Sequence, residues 1–149
     1  MLLARNRKAL RNYEVTEKFL AGIKLKGYEV KALREKKVSF EGAYVKVMGG
    51  EVWLMNMHIG RYSKQSQKVP DGEADRPRKL LLSKREIDVL RKEVAQKGKT
   101  AVPLALLLKH NLVKLELGIV RGRKAHEKKH LEKERQIRRD LEKERKERI

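Results

Sequence analysis

The last 29 residues, Arg121 to Ile149, hold 13 Lys/Arg and seven Asp/Glu against a handful of apolar side chains. A segment of that composition cannot bury enough apolar surface to offset the entropy of ordering it. A core must therefore be built from residues 1–120, followed by a tail, residues 121–149, that stays solvated. The tail's 13 cations and seven anions net +6, which leaves +13 of the chain's formal +19 on residues 1–120. The folding part is basic in its own right, and a pI near 10.3 favours polyanionic partners through counterion release.

About 120 residues suffice for one domain with one core. There is no cysteine, which excludes disulfides and Cys-based zinc sites and fits a reducing compartment. The opening MLLARNRKALRN has only Leu2, Leu3 and Ala4 before its charges begin, too short for a signal sequence or a membrane span. The expectation is a soluble, cytoplasmic protein.

Asn6 to Arg11 reads as a basic lead-in. From Asn12 to Gly27 the β-formers Tyr13, Val15, Phe19, Ile23 and Leu25 recur mostly at even spacing, predicting one long strand with a bend or bulge at Gly22. Glu29 to Lys36 is rich in helix formers. Tyr44 to Met48 alternates, Gly49-Gly50 offers a two-residue turn, and Glu51 to Ile59 returns, which predicts a hairpin. Gly60 to Lys79 is a polar loop ending in Arg76, Arg78 and Lys79. Ser83 and Glu86 form a capping box for a helix carrying Ile87, Leu90 and Val94 and stopping at Gly98. Two last strands, Val102 to Lys109 and Leu112 to Val120, flank His110-Asn111 and carry apolar residues on both faces. Five or six strands, a short helix and one longer flanking helix suit a mainly β fold, a small closed OB-type β-barrel.

One enzyme-like motif needs weighing. His126-Glu127-Lys128-Lys129-His130 matches H-E-x-x-H, which on a buried helix presents two imidazoles to zinc. Here Arg123, Lys124, Lys128, Lys129 and Lys133 surround it with charge that opposes a dication, and no apolar stripe could dock the helix. The motif reads as a chance product of a Glu/Lys/His-rich tail, so no metal, cofactor or catalytic residue is expected. The i, i+4 pairs Glu134–Arg138, Glu142–Lys146 and Glu144–Arg148 give the tail helix support of a few tenths of a kcal/mol each. It is expected to be disordered, or helical once a polyanion screens its repulsion. Leu131, Ile137 and Leu141 form no heptad seam. Among the aromatics, Phe19, Phe40 and Trp53 read as packing rather than as platforms for bases, and His58 as a sheet-face residue.

Asn6-Arg7-Lys8-Ala9, Ala21-Gly22-Ile23, Glu29-Val30-Lys31, Leu33-Arg34, Gly50-Glu51-Val52-Trp53-Leu54, Asn56-Met57-His58-Ile59, Arg76-Pro77-Arg78-Lys79-Leu80-Leu81-Leu82, Lys84-Arg85-Glu86-Ile87 and Arg121-Gly122-Arg123-Lys124 occur in that order. This series closely resembles the small protein B family, the SsrA-binding proteins that partner tmRNA in bacterial ribosome rescue. The resemblance covers nearly the whole chain. It implies a non-enzymatic protein with a six-stranded OB-type barrel that grips the elbow of the tRNA-like domain of tmRNA. It also implies delivery of alanyl-tmRNA, with elongation factor Tu and GTP, to ribosomes stalled without a codon. The tail would then run as a helix through the empty mRNA channel. A structural basic RNA-binding or ribosomal protein would share the same bulk physics.

Carried over residue by residue, the resemblance places tmRNA contacts at Asn6, Leu81 and Lys114, with Arg7, Lys8, Arg76, Arg78 and Lys79 adding phosphate charge. It gives the ribosome Gly122, where the tail leaves the barrel, then Arg123, Lys124, His126 at the decoding centre, Glu127, Lys128 and Lys129. The family's Asp-Lys-Arg after His126 is Glu127-Lys128-Lys129 here, which keeps the charge and loses the last guanidinium fork. Leu20 stands where the family has a carboxylate, and faces either RNA or the core. Lys36 stands at a common glycine.

Overall fold

In chain order the elements are β1 (Leu2–Arg5), α1 (Arg7–Asn12), β2 (Tyr13–Ile23), α2 (Gly27–Arg34), β3 (Val38–Ser39), β4 (Tyr44–Met48), β5 (Glu51–Met55), β6 (His58–Ile59), a 3-10 turn (Glu73–Asp75), β7 (Arg78–Leu81), α3 (Lys84–Val94), β8 (Lys99–Lys109) and β9 (Leu112–Gly122). The structure, a computed structural model, describes residues 1–64, 72–122 and 135–141. Among the described residues no helix is long and apolar enough to cross a membrane.

Both hairpins turn on two residues with positive φ, as the twist of flanking strands requires. Gly49 and Gly50 sit at φ 56 and 79, and His110 and Asn111 at φ 51 and 65. The first joins β4 to β5 and the second β8 to β9, each pair in register from the turn. Strand β9 runs against β2, β2 reaches β7 at Gly22 and Ile23, and β7 runs against β5. Strand β4 returns to β8 at Val45 and Ala101, so six antiparallel strands close into a ring. Beyond that point β8 exchanges partners: its bulge lies between Pro103 and Ala105, and residues Ala105 to Leu107 pair with β1. A proline in a long strand belongs at such a bulge, where its missing N–H breaks no ladder bond.

The closed ring and the flanking helix match expectation, and several details differ. The basic lead-in is structured. Asn6 caps α1 by accepting from the Ala9 amide at 3.2 Å, and its Nδ2 donates to the Pro103 carbonyl at 2.8 Å. The bulge in β2 falls between Val15 and Glu17, not at Gly22. The return strand of the first hairpin stops at Met55, because Asn56 adopts φ 61, and His58–Ile59 leaves to pair with Val38–Ser39. The end of the expected polar loop is strand β7. Strand β9 carries Arg121 and Gly122 beyond the expected boundary at residue 120, pairing them with Glu14 and Tyr13.

The ring interior holds Phe19, Ala21, Val45, Val52, Leu54, Leu80, Ala101, Leu106, Leu115, Leu117 and Ile119. Helix α3, with Ser83 and Glu86 forming the reciprocal cap, inserts the fully buried Leu90 into that cluster. On the outer face of β8 and β9, Val102, Leu104 and Val120 pack beneath Ala9 and Leu10 of α1. Gly118 permits this second layer, since a Cβ there would lie 2.6 Å from Leu104 Cδ1.

A buried ion pair ties the smaller elements together. Arg78 has no exposed surface. Its Nε donates to Glu29 Oε2 at 2.8 Å, its Nη2 to the Ala74 carbonyl at 2.9 Å, and its Nη1 to the Met57 carbonyl. Arg76 donates to the other Glu29 oxygen. Burial pushes the Arg78 guanidinium below its ordinary value, and the Glu29 carboxylate opposes that shift. Glu29→Ala would leave a buried cation without its anion. We expect a loss of about 3–5 kcal/mol in urea unfolding, partly recovered when Arg78 is also made apolar.

Helix α2 ends in a Schellman motif. The amides of Lys36 and Lys37 donate to the carbonyls of Leu33 and Ala32 at 2.9 and 3.1 Å, with Lys36 at φ 64. A lysine pays a steric cost in that conformation which glycine avoids. Lys36→Gly should therefore raise stability by roughly 0.5–1 kcal/mol, read as a higher thermal midpoint.

Candidate nucleic-acid interface

Alternation in the ring strands decides which side chains face outward. In β2, Phe19 and Ala21 enter the core, so Leu20 and Gly22 face out; in β7, Arg78 and Leu80 are inside, so Lys79 and Leu81 face out. In β9, Val113 and Leu115 are inside, so Lys114 and Glu116 face out. Leu20 is 46% exposed and Leu81 48% exposed. The outward position of Leu20 settles the choice between core and surface.

Register then brings these residues together. Gly22 pairs with Leu81 on one side and Lys114 on the other, and Lys114 continues to Leu107. With no side chain at Gly22, Leu81 can lean across it; a Cβ there would lie 3.2 Å from Leu81 Cβ. Leu20 lies directly opposite Glu116, which also approaches Lys18 at 3.7 Å. A second row crosses the neighbouring strands: Lys46 pairs with Trp53, and Trp53 with Lys79. The Lys24 amide donates to the Lys79 carbonyl at 3.0 Å, placing Lys24 beside that row. Lys79 is partly neutralised by Glu51 at 3.2 Å.

The other expected contacts lie elsewhere. Arg78 is a correction: with no exposed surface it cannot supply phosphate charge on this face, because its place in β7 turns it inward to Glu29. Arg76 is engaged with Glu29 and Glu73. Asn6 is 8% exposed, and both ends of its amide are used within the fold. Arg7 and Lys8 are exposed on α1, beside a cleft of about 700 Å³ between that helix and Gly42–Tyr44. Near Arg76, Glu73 is held below the usual carboxylate range, chiefly by the Lys26 ammonium, and Lys26 is raised in return. Arg123, Lys124, His126, Glu127, Lys128 and Lys129, and with them the H-E-x-x-H motif, lie outside the described residues. Residues 135–141 of the tail are helical, with Gln136 Nε2 donating to Asp140 Oδ1 at 3.0 Å, and Ile137 and Leu141 are exposed.

Trp53 was expected to pack. Phe19 and Phe40 do join the core, but Trp53 lies on the outer face between two lysines. The signal for this was present in Glu51–Met55, where the fully buried Val52 and Leu54 leave Trp53 on the opposite side.

A family model described as SmpB protein matches residues 3–147. An SsrA-binding protein of Treponema denticola is 44% identical over 143 residues, covering 96% of this chain and 92% of the relative. One from Oleidesulfovibrio alaskensis is 46% identical over 143 residues, covering 96% and 91%. A chain in a solved structure described as "tmRNA-SmpB: a journey to the center of the bacterial ribosome" superposes with TM-score 0.69 at 44% identity, covering 82% of this chain and 85% of that chain.

The outward position of Leu20 carries a stability prediction. Leu20→Glu places a carboxylate in solvent, opposite Glu116. The like charges should cost less than about 1 kcal/mol, measured by thermal melting. A loss of several kcal/mol would mean that Leu20 is buried.

Proposed function

The chain belongs to the SmpB protein family, and from that premise we propose that it binds the tRNA-like domain of tmRNA and delivers alanyl-tmRNA to stalled ribosomes. The observation that carries this is the outer face on which Leu81, Gly22 and Lys114 stand in one cross-strand line with Lys79 beside it. Lys114 and Lys79 would neutralise phosphates, while Leu81 and Leu20 would cover sugar and base edges at the elbow. Glu116, across from Leu20, keeps a carboxylate on this face despite the leucine. Arg78 would act from inside by fixing β7, and Asn6 by anchoring α1, whose Arg7 and Lys8 would meet backbone phosphates.

The protein would be a cytoplasmic, non-enzymatic adaptor in two parts. The ring would hold tmRNA, and elongation factor Tu with GTP would join through the aminoacylated RNA. The tail from Gly122, through Arg123, Lys124, His126, Glu127, Lys128 and Lys129, would enter the decoding centre and the empty mRNA channel. Thirteen cations in 29 residues suit a channel walled by RNA, where phosphate neutralisation drives helix formation.

Two variants divide these roles. Lys114→Ala should weaken binding of the tRNA-like domain and lower its salt slope by about one. Truncation before Arg123 should leave that affinity within about tenfold, roughly 1.4 kcal/mol, and abolish tagging of stalled peptides. Unchanged affinity and slope in the first variant would remove Lys114 from the interface, and full tagging by the second would end the channel role. Recovery of bulk ribosomal RNA rather than one tRNA-like RNA would favour a structural ribosomal protein.

A further inference from the structure

Trp53 is the chain's one tryptophan, and its placement is unusual for the core residue it resembles in sequence. It lies on the outer face of β5, half-buried, directly between Lys46 of β4 and Lys79 of β7. Lys24 stands one strand further along. Among the described residues neither Lys46 nor Lys24 forms an ion pair, and Glu51 is the single carboxylate paired to this row. Trp53 is absent from both buried clusters, whereas α3 buries Leu90 in the ring interior and α1 covers Val102, Leu104 and Val120.

We propose that Trp53 is a stacking platform for one unpaired base of the bound RNA, with Lys46 and Lys79 holding the flanking phosphates. An indole presents a large face to any base, and stacking is tolerant of which base it is. Lysines on adjacent strands lie about 5 Å from it on either side, close enough to serve the phosphates of the same and the next nucleotide. A duplex would not supply such a base, since its bases are stacked internally. This site lies beside the Leu81–Gly22–Lys114 line and extends the interface toward β4. It rests on the proposed RNA-binding function and adds an unpaired nucleotide to the recognised shape.

The test uses the full chain and the tRNA-like domain of tmRNA, followed through Trp53 fluorescence and through an independent binding assay. Binding should quench Trp53. Trp53→Leu should weaken affinity roughly tenfold with an unchanged salt slope, and Trp53→Phe should retain most of it. Lys46→Ala should weaken affinity and lower the slope by about one. Far-UV circular dichroism checks that each variant is folded, and quenching in the unaltered protein needs no variant. Tight binding with unquenched Trp53, or a folded Trp53→Leu that binds as the parent does, overturns the platform while leaving RNA binding intact. Failure of the unaltered protein to bind overturns the proposed function and the platform with it.

Discussion

A guanidinium with no exposed surface needs an anion and enough acceptors for its donors, and Arg78 finds them in three separate places. Glu29 comes from α2, Met57 from the turn before β6, and Ala74 from the 3-10 turn, while Arg78 itself begins β7. Each partner lies on a short element: α2 is anchored by Ala32 and Leu33 and the β6 segment by Met57, while the 3-10 turn buries no residue. Their shared dependence on one buried charge gives them a single arrangement, because any other leaves that charge unmatched. Strand β7 is four residues long and would otherwise have few constraints on its register. Fixing Arg78 inward fixes Lys79 and Leu81 outward. A one-residue slip would bury a lysine and turn Leu80 to solvent.

The outer face also depends on strands that serve two neighbours. Strand β2 runs along β9 and meets β7 at Gly22 and Ile23, while β8 runs along β9 and passes from β4 to β1 across a bulge. These exchanges close the ring and bring residues from distant parts of the chain onto one surface. At Gly22 the exchange coincides with a missing side chain, so Leu81 can occupy the space over the strand. Further along the outer face of β9, Gly118 makes the corresponding room for Leu104 and α1.

Much of this was legible in the chain because the signals were local. Gly49-Gly50, the Ser83–Glu86 capping box and the alternation through β4 and β5 depend on neighbours within a few residues. Helix α1 was not legible, because Asn6 caps it only while Pro103, far along the chain, receives its other end. Arg78 could not be placed by composition, since a string of cations before a strand looks like a surface until Glu29 is known to face it. The outward direction of Trp53 is missed for a different reason. Aromatic residues are usually core, and the alternation that contradicted this for Trp53 was available in the same five residues. Of the positions carried by resemblance, register puts Lys79, Leu81 and Lys114 on one outer face and leaves Asn6 and Arg78 buried, a sorting periodicity could not make because register across the ring is long-range information.

The composition of that face bears on how a strongly basic protein can still discriminate among RNAs. Charge alone attracts every polyanion and is weakened by salt in proportion to the phosphates engaged. Leu20, Leu81 and Trp53 interrupt the lysines with surface that gains only when water is displaced by a closely fitting partner. Glu116 beside Leu20 and Glu51 beside Lys79 add local repulsion against a phosphate placed there. On the proposed function, a ligand would present phosphates to Lys114, Lys46, Lys79 and Lys24, set clear of the two carboxylates, and offer apolar edges between. Because the strand register holds these groups at fixed spacings, the ring would select a shape. The tail spreads 13 cations along residues 121–149, a composition that on the proposed function would suit following a charged wall. Placing the two kinds of charge on one chain would let selection and accommodation be changed separately.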